Sequence, residues 1–393
     1  MAAVIRRERE YDPWLLLSVL SLLGMGLVMV TSASLSYAEG LQLSAWHFAI
    51  RHFIYLSVGG LFFIFATFTP ISFWKKFSTH FLIFTLGLLL IVLIPGITRQ
   101  VNGSVRWLFI GPISIQASEI AKLMVIIYMA SYLVRKSREV QEHISGFLKP
   151  MALLGIISAL LLLEPVFGAT VVIVSTSMGM LFLGGVPLKR FLVLFLGVIG
   201  LLAMLSIASP YRMQRLTSFL DPWSDQFNSG YQLTQSLIAF GRGGWFGTGL
   251  GNSVQKLLYL PEPHTDFIYA VLSEELGLLG ALGILFLFAL LVYRIMLLGR
   301  KAISAGNRFA GFLAYGIALW FGLQTLINIG VNVGVLPTKG LTLPFVSYGG
   351  NSLLIAMLAV GILLRIEFEL FSSPLPLGEN KRQESRLSRI TTG

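Results

Sequence analysis

The sequence predicts an all-α polytopic membrane protein of about ten transmembrane helices, with a large extracytoplasmic loop between the seventh and the eighth. Three observations carry that expectation: the composition, the lengths of the apolar runs, and the placement of the basic residues. Of 393 residues, 55% are hydrophobic and only 12% are charged, with a mean hydropathy of +0.79, against roughly 25% charged residues in soluble domains. An ordinary soluble enzyme is excluded. Cysteine is absent, which removes disulfides, iron–sulfur clusters, thiolate zinc sites and cysteine nucleophiles. The net charge of +11 is scattered between apolar runs rather than gathered on a soluble basic face, so it reads as membrane topology and not as a nucleic-acid footprint.

A spanning helix needs about 20 apolar residues, because the backbone must satisfy its own hydrogen bonds where water is absent. The first run, Trp14 to Thr31, follows Arg6, Arg7 and Arg9. It is too long for a signal peptide and nine more runs follow, so it is read as an uncleaved span. The others are Phe53 to Phe68, His80 to Pro95, Ile120 to Val134, Pro150 to Leu163, Ala169 to Gly185, Phe191 to Ala208, Asp266 to Tyr293, Phe309 to Val331 and Pro344 to Leu364. The chain thus divides into a cytoplasmic tail (1–12), one transmembrane domain (13–366) with a long outer loop at about 210–265, and a polar C-terminal tail (367–393).

With both termini cytoplasmic, 20 of the 29 Lys and Arg residues fall on the inner side, as the bias of basic residues toward the cytoplasm requires. The nine outside are Arg51, Arg99, Arg106, Lys122, Arg212, Arg215, Arg242, Lys256 and Lys339. Either they keep loops soluble or they face an anionic partner. Several cluster in two polar, glycine-rich outer segments, Gly96 to Lys122 and Pro210 to Asp266. The second is far longer than an ordinary connection. It carries Trp223, Tyr231, Trp245, Phe246 and Tyr259, aromatic anchors suited to a membrane interface.

The chemistry must come from polar groups that a membrane makes expensive. Asp266 stands where a proline-rich loop, Tyr259-Leu-Pro-Glu-Pro-His-Thr-Asp-Phe267, meets the outer end of the eighth run. Thr265 or Asp266 can cap that helix, and Asp266, flanked by His264 and near Arg242 and Lys256 in sequence, can equally act as a general base. Glu274 and Glu275 come about 12 Å deeper at 1.5 Å per residue. Glu274 approximately shares the face of Asp266, whereas Glu275 points away and suits interhelical packing. Glu164 and the Glu119–Lys122 pair are further intramembrane charges; that pair either neutralises itself or meets substrate. From Asn328 to Gly350 the chain is too rich in Gly, Pro and Asn for a plain helix. A broken or re-entrant segment lining a cavity is expected, with Lys339 as a cation and Ser347 and Tyr348 as hydrogen-bond donors.

Together these stretches resemble the SEDS family (shape, elongation, division and sporulation) over nearly the whole chain. The resemblance rests on Val101-Asn-Gly-Ser-Val-Arg-Trp107, Gln116-Ala-Ser-Glu-Ile-Ala-Lys122, Gly230-Tyr-Gln-Leu-Thr-Gln-Ser236, Gly249-Leu-Gly-Asn-Ser-Val-Gln-Lys256, His264-Thr-Asp-Phe267, Leu336-Pro-Thr-Lys-Gly-Leu-Thr-Leu-Pro-Phe345 and Ser347-Tyr-Gly-Gly350. The division branch fits better than the elongation branch. Three positions depart from the family pattern: Val166 stands where an Asp is usual, Ala117 where a Pro is usual and Asn351 where a Ser is usual.

The resemblance implies a peptidoglycan glycosyltransferase of the bacterial inner membrane that polymerises lipid II into glycan strands during septal wall synthesis. Asp266 would be its base, and Arg106, Glu119, Lys122, Arg242, Lys256, His264, Thr265, Lys339, Ser347 and Tyr348 would bind substrate. It also implies a class B penicillin-binding transpeptidase and other divisome membrane proteins as partners. A divalent cation, Mg or Mn, is an optional cofactor, although no acidic cluster has clear metal-ligand spacing. Two other readings use the same features: a transporter of lipid II, and a divisome scaffold without catalysis. The outer position of Asp266 favours the polymerase, because a transport site belongs nearer the midplane.

Overall fold

The computed structural model describes residues 11–94, 98, 107–110, 113–164, 166–207, 219–337 and 340–372. The elements are α1 (Pro13–Gly40), α2 (His47–Phe68), α3 (Ile71–Val92), the strands β1 (Trp107–Ile110) and β2 (Ile113–Gln116), α4 (Ala117–Arg135), α5 (Ser137–Glu142), α6 (Ser145–Leu163), α7 (Phe167–Leu183), α8 (Leu188–Ile207), α9 (Tyr231–Gly243), α10 (Ile268–Ser304), α11 (Arg308–Asn332) and α12 (Gly350–Ser372). Each of the ten apolar runs falls on one of these helices. Seven of the described helices are long and apolar enough to cross a membrane: α1 to α4, α6, α10 and α11.

The helices wrap a centre formed by α4 and α11. Almost every residue of α4 from Ala117 to Leu133 is buried, and α11 packs on α4, α7 and α10. Around them α12 packs along α2, and α1 along α10. The β1–β2 hairpin is antiparallel, pairing Trp107 with Gln116, and the Asn351 side chain at the start of α12 donates to the Ser114 carbonyl at 2.8 Å. Asn351 therefore ties the hairpin to α12.

One end of the bundle is locked by charge. Asp12 caps α1, accepting from the N–H groups of Trp14 and Leu15 ahead of Pro13, whose missing N–H costs nothing at that position. Its other oxygen meets the Arg294 guanidinium at 2.6 Å, and its own N–H donates to Glu367. The start of α1 and the end of α12 thus lie on one face. At about 1.5 Å per residue, Ser32 of α1 and Glu275 of α10 each lie about 30 Å from this lock. There they meet again, with Ser32 Oγ donating to Glu275 at 2.7 Å. Two polar ties separated by about the thickness of a hydrocarbon core bracket the apolar band.

The irregular backbone lies partly where it was expected and partly elsewhere. α11 stays regular through Asn328 to Asn332, the described residues 333–337 and 340–349 are irregular, and α12 starts at Gly350 rather than at Pro344. The membrane-level break falls instead in α10, at Gly277, with φ +69° and ψ −169°. A broken turn frees backbone groups that water cannot reach, and these pair with the outer segment. The N–H groups of Leu278 and Leu279 donate to the carbonyls of Gly244 and Trp245, while those of Thr248 and Gly249 donate to the carbonyls of Glu274 and Glu275. The approach is so close that a Cβ on Gly277 would stand 2.4 Å from the Gly247 nitrogen, and one on Gly247 would stand 2.1 Å from the Glu275 carbonyl oxygen.

Gly277→Ala should therefore be among the most damaging single-methyl changes in the chain. Left-handed strain alone costs about 1–3 kcal/mol, and the collision with Gly247 adds to it. Thermal melting of the purified protein is expected to fall by several degrees, whereas Gly283→Ala, where nothing lies within 4 Å of the added carbon, is expected to leave melting unchanged.

Candidate active site

The polar stripe on α11 builds the site. Gln324, Asn328 and Asn332 recur every four residues, so they lie on one helix face, and all three are buried. Asn328 and Asn332 each donate from Nδ2 to the Asp266 carbonyl at 3.0 Å. Asn332 Oδ1 also accepts from the Ala270 N–H at 3.2 Å, and Asn328 Nδ2 donates to the Leu341 carbonyl at 2.5 Å. Gln324 Nε2 donates to the Thr342 carbonyl at 2.8 Å. One helix face thereby fixes both the chain at Asp266 and the segment 341–342 opposite it. Asp266 Oδ2 faces Gly340, where a Cβ would lie 3.0 Å away.

The two capping expectations are not met. The N-cap of α10 is Phe267, without a side-chain cap hydrogen bond, and the Thr265 hydroxyl turns back to Glu262, reaching its carboxylate at 3.0 Å. His264 is buried among aromatic rings, with centroids 4.6 Å from Phe48, 4.8 Å from Tyr37 and 5.4 Å from Tyr348. Its carbonyl accepts from the Tyr348 N–H at 2.9 Å. Burial pushes the His264 imidazole down to about 4, so the ring is neutral near pH 7. The Ser347 hydroxyl accepts from the Leu343 N–H at 2.8 Å and closes a turn. Tyr348 is only half-buried, and Arg51 faces its hydroxyl.

The expected cations fall into three groups. Lys122 is inside the bundle, bonded to Glu119 at 2.8 Å and to Gln324 Oε1 at 2.8 Å, with its Nζ 5.3 Å from the Trp320 ring centre. Lys256 is also inside, paired with Glu275 at 2.8 Å and donating to Ser32 at 2.9 Å. Arg242, at the end of α9, is different. Its side chain is 47% exposed and lies 3.4 Å from Glu274. Arg106 and Lys339 lie outside the described residues. Glu275, expected in interhelical packing, does bond Ser32 of α1 but also takes Lys256, and Glu274 accepts from the Val254 N–H.

Glu164 is wholly buried at the end of α6, and among the described residues neither of its carboxylate oxygens has a hydrogen-bond partner. Val166 is the N-cap residue just before α7 and has a buried side chain, its carbonyl accepting from the Thr170 hydroxyl, and Ala117 is the buried first residue of α4. Among the described residues no three of His, Asp and Glu stand together as a metal site. The residues that sequence reading did not assign to the site are Gln324, Asn328 and Asn332. Their i, i+4, i+8 spacing in an apolar helix was the available signal, and the surrounding glycines masked it.

The fold and the site define a polytopic helical membrane protein in which a carboxylate-bearing loop is pinned by buried amides at the end of a broken helix. The chain belongs to the FtsW/RodA/SpoVE family of cell cycle proteins, whose model matches residues 13–371. It is 57% identical over 360 residues to a probable peptidoglycan glycosyltransferase FtsW of Coxiella burnetii, covering 92% of this chain and 97% of that one. It is 55% identical over 359 residues to the probable FtsW of Legionella pneumophila, covering 91% of each. Among solved structures, a chain from work on the structural coordination of polymerization and crosslinking by a peptidoglycan synthase complex superposes with a TM-score of 0.77 at 26% identity, covering 92% of this chain and 99% of that chain. The rod shape determining protein RodA of Thermus thermophilus superposes with a TM-score of 0.67 at 25% identity, covering 91% and 96%.

His264 gives a pH signature. The fold favours its neutral form, so its contribution to stability is complete above the unfolded value of about 6.5 and is lost as pH falls toward about 4. Melting of the wild-type protein is expected to decline over that window by more than melting of His264→Phe, with the two curves parallel above pH 7.

Proposed function

We propose that this chain is a peptidoglycan glycosyltransferase that polymerises lipid II into glycan strands for the division septum. The observation that carries the reading is Asp266, whose main chain is held by two buried asparagines where the outer loop enters α10. Relatives above 50% identity named as peptidoglycan glycosyltransferases support the reaction class.

In this reading the 4-hydroxyl of the acceptor's GlcNAc attacks the anomeric carbon of the donor's MurNAc. The new glycosidic bond forms as the bond to undecaprenyl pyrophosphate breaks, and Asp266 takes the hydroxyl proton. A hydroxyl is a poor nucleophile until that proton leaves, and a carboxylate within about 3 Å removes it in the transition state. The leaving pyrophosphate gathers negative charge, which preorganised cations stabilise best where water is excluded. Of Lys122, Lys256 and Arg242, Arg242 is the one with surface open for this work, and Arg106 and Lys339 join it in the proposal. Tyr348 and Thr265 supply hydroxyls near the sugars, while His264 packs the floor beneath them. The Glu119–Lys122 pair shapes the interior beside Gln324.

A divalent cation, Mg or Mn, would add charge opposite the pyrophosphate. The described carboxylates do not group to hold one, and no step here uses it. In this reading the protein sits in the cytoplasmic membrane with both termini inside and works with a class B penicillin-binding transpeptidase and other divisome proteins.

The test is polymerisation of purified lipid II by the protein with its cognate transpeptidase. Asp266→Asn is expected to lower the rate by about 10²- to 10⁴-fold while lipid II binding is retained. Wild-type-like polymerisation by Asp266→Asn would remove the base, and transfer of lipid II between leaflets without any polymer would favour a transporter.

A further inference from the structure

Glu274 and Glu275 occupy the last turn of α10 before the break at Gly277, and both side chains are fully buried. They leave the helix in different directions, yet each ends on the outer segment. Glu274 accepts from Ser253 Oγ at 2.5 Å, from the Val254 N–H at 3.0 Å and from the Gln255 N–H at 3.2 Å. Arg242 stands against it at 3.4 Å. Glu275 takes the Lys256 ammonium at 2.8 Å and the Ser32 hydroxyl of α1 at 2.7 Å. The main chain repeats the connection through Thr248 and Gly249, which donate to the carbonyls of the same two glutamates.

The geometry points to Glu274 and Glu275 as a latch that holds residues 242–256 against the half of α10 leading to Asp266, with Lys256 as the latch's internal counter-ion rather than a substrate contact. Lys256 is only 6% exposed and already has two protein acceptors. For it to hold a phosphate, Glu275 would be left at zero exposure with no counter-ion and only the Ser32 hydroxyl as partner, and an uncompensated buried charge is costly. Arg242 stands the other way round: its partner is buried while its own side chain is half open. The latch therefore makes Glu274 a positioning residue, setting where Arg242 and the turn at 253–255 sit relative to Asp266. The idea rests on the polymerase reading only for its activity readout.

A double-mutant cycle tests it, using the full chain in liposomes with its transpeptidase and lipid II, and reading melting temperature, kcat and KM. Lys256→Met and Glu275→Met each strand one buried charge, so each alone is expected to lower melting and activity together. The double variant Lys256→Met/Glu275→Met leaves no charge, and it is expected to regain wild-type melting, with kcat and KM within threefold of wild type. A double variant that melts normally but makes no polymer, or whose KM rises tenfold, overturns the proposal, because Lys256 then touches substrate. So does a Lys256→Met single variant that behaves as wild type, and so does a double variant that melts as low as the singles.

Glu274 is read separately by hydrogen exchange. Glu274→Gln is expected to speed exchange at residues 253–255 at least tenfold while α11 stays protected. Unchanged exchange, or protection lost across α11 as well, removes Glu274 from the latch. Melting and exchange need no polymer, so a wild-type protein without polymerase activity would fail the functional reading and still leave the latch decided.

Discussion

The packing of residues 243–256 against α10 follows from the need to satisfy backbone groups at a helix break about one hydrocarbon thickness from the charge lock at Asp12. At Gly277 the chain leaves the helical region, and the freed amides and carbonyls have no water to turn to. The outer segment supplies the missing partners through Gly244, Trp245, Thr248 and Gly249. That solution demands backbone contact without intervening side chains, which explains the glycines at 243, 247 and 277, where a Cβ would strike backbone, while Gly244 and Gly249 take positive φ angles that favour glycine. It also means residues 243–256 fold as part of the bundle, with the rings of Trp245 and Phe246 left largely exposed.

Charge obeys the same economy. The buried lysines Lys122 and Lys256 each have an acid at 2.8 Å, and the acids Glu119, Glu274 and Glu275 each have at least one cation. Such pairs add little net stability compared with apolar packing, but breaking one is expensive. Their value lies in register. Glu275 joins α1, α10 and the outer segment at one point, and Lys122 joins α4 to α11 through Gln324. The site is assembled on these fixed points rather than on the loop's own rigidity.

Much of the fold was legible in the sequence because membrane burial writes long apolar runs, and each of the ten runs coincides with a helix. The acid at the head of α10 was legible too, since Asp266 follows a proline-rich turn directly before an apolar span. What the sequence hid was partnership. Glycine and proline counts pointed to an interruption after Asn328, yet α11 continues to Asn332, with Asn328 and Asn332 bonded to the chain at Asp266 and Asn332 also donating to the Asn328 carbonyl of its own helix. The real interruption, at Gly277, lies within an unbroken apolar pattern, where a lone glycine gives no warning.

The same blindness shaped the reading of the cations. A lysine on the outer side looks like a phosphate ligand when only its side of the membrane is known, and Lys256 carries the same one-dimensional signal as Arg242. Burial separates them: one is closed in by Glu275 and Ser32, and the other keeps nearly half of its side chain open beside Glu274. Transition-state charge is stabilised by groups that reach the reacting atoms and are already oriented when the reaction begins. A cation that must first abandon a buried carboxylate is oriented for the protein, not for the substrate. In the proposed latch the interior ion pairs hold the frame, and the half-exposed Arg242 beside them is the cation left open to a substrate.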